Sequence, residues 1–315
     1  MAAVSFAPAG PFSLAASIRF LEGFTPASYE HTAEAVLRLA FVSDDGRTVV
    51  GAAVRQEETT DGAPGTPGLV HAECTVRADG RTTRPTAGSV AGRAAGAQIA
   101  RILSLDVDAT DFPALADKDE VVAGLQAEFP GLRPVLFHSP YEAAAWTIIG
   151  NRIRETQAAA IKARLAHEHG RPVDVAGRRL HAFPAPAVLR TLDHVPGLTG
   201  LKIGRLHALA EATLDGRLDA AVLRAQPAES ALSDLRQLPG IGPFSAELIL
   251  IRGAGHPDVF PTVEPRLHRA MAAAYGLDAS TADSSPRRLA ALAEAWRPYR
   301  SWVALLMRAH AGNRP

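Results

Sequence analysis

The chain has 315 residues, 47% hydrophobic and 21% charged, with 23 Pro and 26 Gly. This is globular composition at about twice the usual domain length, and it excludes disorder, collagen and a long coiled coil. No apolar run approaches the roughly 18 residues of a membrane span. The single cysteine, Cys74, excludes an internal disulfide, a cysteine-type zinc cluster and a cysteine-ligated iron–sulfur cluster. Net charge is zero, yet residues 1–150 carry 11 Lys and Arg against 18 Asp and Glu, and residues 151–315 carry 22 against 15. An acidic half is thus followed by a basic one suited to a polyanion. The first residues, MAAVSFAPAGPF, lack the basic start of a secretory signal, and the expectation is a cytoplasmic protein.

Residues 12–22 and 87–103 are expected to be helical. Residues 35–42 (AVLRLAFV) and 47–55 (RTVVGAAVR) are β-rich runs joined by Ser43-Asp44-Asp45-Gly46, a hairpin signal. After a Gly/Pro/Thr-rich stretch from Glu58 to Gly68 comes a third run, 69–77, closed by Ala78-Asp79-Gly80. These runs predict a small antiparallel sheet in a first domain, 1–88, and strand content is expected to end there. A helical domain, 89–315, follows. Ser139 as N-cap, Pro140 at the first helical position and Glu142 three residues after the cap predict one long helix running to Gly170. Shorter helices are expected at 185–192, 202–214, 218–225, 229–237, 243–253, 264–275, 285–295 and 300–309.

Gln237-Leu238-Pro239-Gly240-Ile241-Gly242-Pro243-Phe244-Ser245-Ala246 lies between a Leu-containing helix and the apolar helix AELILIRGA. Two glycines around one apolar residue make a tight turn whose backbone N–H groups no side chain obstructs. Pro243 then opens a helix whose N-terminus carries roughly +0.5 charge. Free amides and that dipole form a sequence-independent phosphate site. The decapeptide alone leaves a plain αα-hairpin with a Gly turn open beside this helix–hairpin–helix reading.

Downstream stands Gly255-His256-Pro257-Asp258-Val259-Phe260-Pro261-Thr262-Val263-Glu264-Pro265-Arg266-Leu267. Hairpin, apolar helix, Asp-x-Phe-Pro loop and an acid opening another helix together resemble the helix–hairpin–helix DNA glycosylases, in particular the 3-methyladenine DNA glycosylase II branch. Ile148-Ile149-Gly150, Ala182-Phe183-Pro184-Ala185-Pro186 and Trp296-Arg297-Pro298-Tyr299-Arg300-Ser301-Trp302 carry the likeness over nearly the whole chain. It implies an α+β fold: an N-terminal antiparallel β-sheet domain, then a mostly α-helical, two-lobed domain. The hairpin would span about 229–253, and the active-site loop and helix 255–275. The implied activity is monofunctional excision of damaged, alkylated or deaminated, purines by base flipping and hydrolysis in base excision repair. The implied partner is double-stranded DNA, met by a monomer. No cofactor and no catalytic metal are implied, apart from a monovalent cation at the hairpin carbonyls near Leu238 and Ile241.

The same resemblance distributes roles. A carboxylate beside C1′ stabilises the oxocarbenium charge of the sugar. Glu264 holds the position where the branch ordinarily has Asp, and Asp258 matches a structural loop residue. Glutamate is one methylene longer, and a glutamate that merely favours a helix N-terminus stays open as a reading. Phe244 replaces the Lys nucleophile of glycosylases that also cut the strand, so no lyase activity is expected. The base pocket is expected from Phe244, Leu248, Trp146, Trp302 and Arg308, with Leu248 and Arg308 standing where aromatics are usual. DNA contacts are expected from Leu238, Gly240, Ile241, Gly242 and Phe244 of the hairpin, and from Arg152, Arg154, Lys202 and Arg205. Leu132 and Pro134 are the candidates for a wedge that fills the gap left by a flipped base. His256 and His268 have no ligand spacing, and Cys74 reads as a buried strand residue. Loss of the Asp and of two pocket aromatics leaves two rivals: a lesion-binding protein without hydrolysis, and a glycosylase for bulky adducts.

Overall fold

Polar residues with a short side chain start most of the helices by accepting a first-turn amide. Ser13 accepts from Ala16, Ser89 from Gly92, Ser139 from Glu142, Thr199 from Lys202, Asp219 from Val222 and Ser285 from Arg288. The structure is a computed structural model that describes residues 3–27, 29, 35–58, 67–78, 80–278 and 285–313. Most of the Gly/Pro/Thr-rich stretch (59–66) and Asp79 lie outside the described residues.

The first layer is an antiparallel sheet in the order β1 (Ala3–Phe6), β4 (Val70–Ala78), β3 (Val49–Gln56), β2 (Leu37–Val42), with β5 (Arg81–Thr83) paired to β4. Alternation decides its two faces. Leu37, Leu39, Phe41, Val50, Ala52 and Val54 share a core with α1 (Leu14–Glu22) and α2 (Val90–Ile102). Val42, Val49 and Ala53 point the other way, onto a second hairpin, β6 (Pro172–Val175) and β7 (Arg178–His181). That hairpin corrects the expectation that strands end with the first domain. Its signal was the alternation Val173-Asp174-Val175 before Ala176-Gly177, a two-residue turn in which both φ values are positive, at 44° and 77°. Gly51 permits the approach, because a Cβ there would lie 2.6 Å from the Val173 side chain. The sheet layer is therefore completed by elements that come after residue 88.

The helical part has two cores, as the two-lobed expectation requires. One gathers α4 (Pro140–Gly150), α5 (Glu155–His169), α7 (Gly200–Leu214), α9 (Ala228–Arg236) and α10 (Pro243–Leu248). The other gathers α11 (Pro265–Ala274), α12 (Pro286–Ala293) and α13 (Arg300–Asn313) around Trp296 and Trp302. Val259 belongs to the first core and Phe260 to the second, so the chain crosses between them four residues before Glu264. No helix among the described residues is long and apolar enough to cross a membrane.

Two expected helices are interrupted. The helix from Ser139 to Gly170 is two, broken at Asn151–Arg154, where Arg152 sits at φ +56°. Gly150 and Asn151 are weak helix formers, and the Nζ of Lys202 takes the Ile149 carbonyl at 2.7 Å, capping the first helix from outside. The helix expected over 243–253 passes after Leu248 into a π-helical turn, Ile249–Gly253, closed by the Ala254 N–H on the Ile249 carbonyl at 2.8 Å. A Cβ on Gly253 would lie 2.8 Å from the Pro140 backbone, so this turn packs directly on the start of α4.

Candidate functional site

The hairpin between α9 and α10 is fixed by its apolar residues. Leu238 and Ile241 are buried in the first helical core, and the Ile241 N–H closes the turn on the Leu238 carbonyl at 3.1 Å. The two glycines have different tasks. Gly240 has φ +87°, and a Cβ there would lie 2.5 Å from the Arg205 side chain, which therefore lies over the turn. Gly242 is exposed and has ordinary backbone angles, and a Cβ there would meet nothing within 4 Å. Its open surroundings and the first-turn amides behind it, which a helix cannot satisfy internally, form the accessible end of the hairpin. Phe244 is 46% exposed two residues further on, whereas Leu248 is half-buried against the core.

α10 also carries a residue that sequence reasoning passed over. Glu247 is buried, and its carboxylate accepts from the Thr262 N–H at 3.0 Å, the Thr262 hydroxyl at 2.5 Å and the Val263 N–H at 3.3 Å. It ties the hairpin helix to the loop that delivers Glu264. Its one sequence signal was a lone acid inside the apolar run AELILI.

Glu264 is the N-cap of α11. Its carboxylate accepts from the Arg266 and Leu267 amides, each at 3.1 Å, and Oε2 lies 2.8 Å from the Nε of Arg308 on α13. Arg308 is one-third exposed and Glu264 less so. The structure thus joins two residues that the sequence separates by 44 positions. Asp258 instead anchors the loop. It accepts from the Nε of Arg300 and from Arg297, each at 2.7 Å, and both arginines also pair with Glu294.

Several expected residues lie elsewhere. Leu132 is 4% exposed inside the second helical core and Pro134 is buried. Neither is a wedge, because between them Arg133 donates to the carbonyls of Ser104, Val107, Pro11, Gly10 and Ala9 and stitches this loop to the start of the chain. Burial also pulls the Arg133 guanidinium down to about 10. Trp302, 2% exposed, packs edge-on to Phe112 and beneath the Arg133 guanidinium, so it is core rather than pocket wall. Trp146 is half-buried against the first core. Arg152 and Arg154 are exposed on the turn between α4 and α5. Lys202 is a helix cap first, and burial lowers its pKa, with Arg205 adding to the effect. Leu201 beside it, 66% exposed and one helical turn before Arg205, was not singled out by the sequence.

His256 accepts the Asp258 N–H at 3.2 Å, and His268 contacts the Pro261 carbonyl at 3.1 Å. Burial lowers the His256 pKa against the pull of Asp258. No group of three or more metal-ligating side chains occurs among the described residues. Cys74 is buried on β4, and burial pushes its thiol up to about 11.

No family model matches the chain. Over 214 residues it is 31% identical to the probable bifunctional transcriptional activator/DNA repair enzyme AlkA of Mycobacterium tuberculosis, a match covering 66% of this chain and 41% of that protein. It is 28% identical over 185 residues to DNA-3-methyladenine glycosylase 2 of Escherichia coli, covering 58% of this chain and 61% of that one. The matches thus take in less than two thirds of each relative's length. The structure of 3-methyladenine DNA glycosylase from Archaeoglobus fulgidus superposes at a TM-score of 0.73 and 21% identity, covering 98% of this chain and 97% of that one. The two share a fold.

Proposed function

From a chain that has the fold of the helix–hairpin–helix DNA glycosylases and resembles the 3-methyladenine DNA glycosylase II branch, we infer a DNA N-glycosylase that flips a damaged purine from the duplex and hydrolyses its bond to the sugar. The observation that carries this reading is the linkage of hairpin to carboxylate: Glu247 on the hairpin helix holds the loop that ends in Glu264. A duplex gripped at one end of that linkage is thereby set in register with the acid at the other.

Binding starts from charge and from open amides. The basic second half draws in the phosphate backbone, and the Gly242 end of the hairpin accepts one phosphate. Exposed Arg152 and Arg154, and half-buried Arg205 lying over the turn, supply further phosphate contacts. The Leu238 carbonyl, which accepts the Ile241 N–H on one lone pair, keeps another for a monovalent cation between turn and phosphate. Leu201 is the exposed apolar side chain suited to fill the space a flipped nucleotide leaves, and flipping costs a few kcal/mol, least for a damaged base.

In the chemical step the N9–C1′ bond breaks with its electron pair leaving on the base. Positive charge grows on the sugar, and the Glu264 carboxylate stabilises it. Water then adds to C1′. Phe244 offers no amine at the position where a strand-cutting enzyme needs one, so the product is an intact strand with an abasic site.

Purified protein incubated with methylated and, separately, with hypoxanthine-containing duplexes should release free base from at least one of them and leave alkali-labile sites, and Glu264→Gln should abolish release while DNA binding persists. An inactive wild type that binds lesions preferentially would favour the lesion-binding reading. That reading has its own support, since the Glu264 carboxylate already has three donors, two amides and one guanidinium.

A further inference from the structure

We propose that Arg308 selects the flipped base by its edge: it admits neutral purines that present adjacent oxygen and nitrogen acceptors, as hypoxanthine does with O6 and N7, and rejects purines carrying a positive charge. This rests on the glycosylase reading of Glu264 and narrows its substrate class.

Two independent observations lead there. The first is the pair itself. The Nε of Arg308 lies 2.8 Å from Oε2 of Glu264, and the Arg308 side chain is 33% exposed. A nucleotide whose C1′ lies against that carboxylate has its base within reach of the same guanidinium. Arginine presents a rigid fork of donors that matches the O6/N7 edge of a purine. A 7-methylguanine base offers that edge a methyl group instead of an acceptor, together with a full positive charge facing another. The second observation is what surrounds the site. A cationic base is held best between electron-rich aromatic faces, and of the expected pocket aromatics this chain leaves only Phe244 well exposed, with Trp146 half-buried. Trp302 is sealed in the core against Phe112, and an aliphatic residue, Leu248, stands one turn after Phe244 on the hairpin helix.

The exchange also serves the chemistry. A cationic purine leaves without help, but a neutral one departs as the anion of its ring unless a donor draws off the charge. Arg308 on O6 and N7 supplies that donor as the N9–C1′ pair moves onto the base. Water adds to C1′, and its proton reaches the departing base through solvent. In giving up Glu264 for the base, Arg308 also leaves the carboxylate with uncompensated charge where the sugar cation forms.

The test is single-turnover release of hypoxanthine and of 7-methylguanine from the same duplex position, each expressed as the enhancement over its own spontaneous rate. The wild type should favour hypoxanthine by about tenfold or more, the discrimination a hydrogen-bonding site exerts when acceptors are missing. Arg308→Gln should lower hypoxanthine release by about 30-fold and leave the enhancement for 7-methylguanine equal or higher, whereas Arg308→Lys should keep the rejection of the cation. A wild-type enhancement for 7-methylguanine equal to or above that for hypoxanthine overturns the inference without any variant. Equal losses on both lesions in a folded Arg308→Gln also overturn it, since they mark a purely structural arginine. Release of neither base by the wild type overturns the glycosylase reading and this inference with it.

Discussion

Glu247→Ala is the most informative single change, because it touches neither DNA nor the reacting atoms. The carboxylate accepts three hydrogen bonds, two from backbone amides and one from a hydroxyl. Hydrogen bonds to a charged acceptor contribute about 1.5–3 kcal/mol each when buried. Thr262 and Val263 are exposed, so water can take over part of the loss, and the total comes to about 3 kcal/mol. Glu247→Gln should cost less, about 1–2 kcal/mol, because its oxygen still accepts from Thr262 while its amide nitrogen faces the Val263 N–H. Both variants free the loop that positions Glu264, and a displacement of about 1 Å at a reacting group costs about 100-fold in rate. Urea unfolding followed by circular dichroism gives the stability, and single-turnover base release gives the rate. A Glu247→Ala protein within about 0.5 kcal/mol of wild type and fully active would show that the loop is held by other contacts and that the hairpin is not coupled to the acid through this residue.

The two hairpin glycines should separate stability from binding. Gly240→Ala is expected to cost about 1–2 kcal/mol through its left-handed backbone, readable as a lower melting temperature. Gly242→Val, with ordinary backbone angles and open space, should melt within a degree or two of wild type, about 0.5 kcal/mol at most, yet bind duplex DNA about tenfold more weakly by fluorescence anisotropy. Borohydride should trap no covalent adduct with abasic or damaged DNA, and a trapped complex on a gel would place an amine nucleophile in the site. Acid stability should depend on Glu142. Burial pushes its carboxyl up, but His138 and Lys162, at 2.9 and 2.6 Å, outweigh burial and hold it below its ordinary value. A depressed folded pKa gives stability that is full above the unfolded value of about 4.3 and is lost as pH falls further. Unfolding midpoints of wild type should therefore drop below about pH 4.5, and a Glu142→Gln protein should start less stable and show a shallower decline there.

The periodic parts of the fold were legible because one physical rule governed each. Apolar β-rich runs closed by turn residues marked β2, β3 and β4, and Ser139 followed by Pro140 marked the start of α4. What escaped was decided by distant partners. The break at Asn151–Arg154 depends on a lysine that arrives from α7 to cap Ile149, and no local window contains it. The strands β6 and β7 are four residues each, too short to stand without the sheet they cover. Asp119 capped a helix, α3 (Glu120–Glu128), that a more regular pattern would have announced, and it also accepts the Trp296 indole N–H at 3.2 Å from a position 177 residues away.

The site divides along the same line. Gly240, Gly242 and Phe244 could be placed from sequence because a hairpin is a local object whose backbone needs those residue types at those spacings. Leu132, Pro134 and Trp302 could not, because their roles depend on burial, and an apolar residue in a Pro/Gly-containing loop or an amphipathic helix reads alike whether it faces solvent or core. Leu132 and Pro134 flank, and Trp302 packs against, one feature, the Arg133 guanidinium inserted among main-chain carbonyls. The carboxylate falls between these cases. Its place after the loop was readable, but its state was not: a glutamate at a helix start can serve the helix, an ion pair or a reaction, and here it does the first two at once. The longer side chain makes that possible. It reaches back to two amides of α11 while Oε2 meets Arg308, whereas an aspartate, one methylene shorter, would hold the amides and fall short of the guanidinium. Glu264 and Arg308, at positions where the resemblance implies an aspartate and an aromatic, therefore belong together, since each residue makes the other's position tenable.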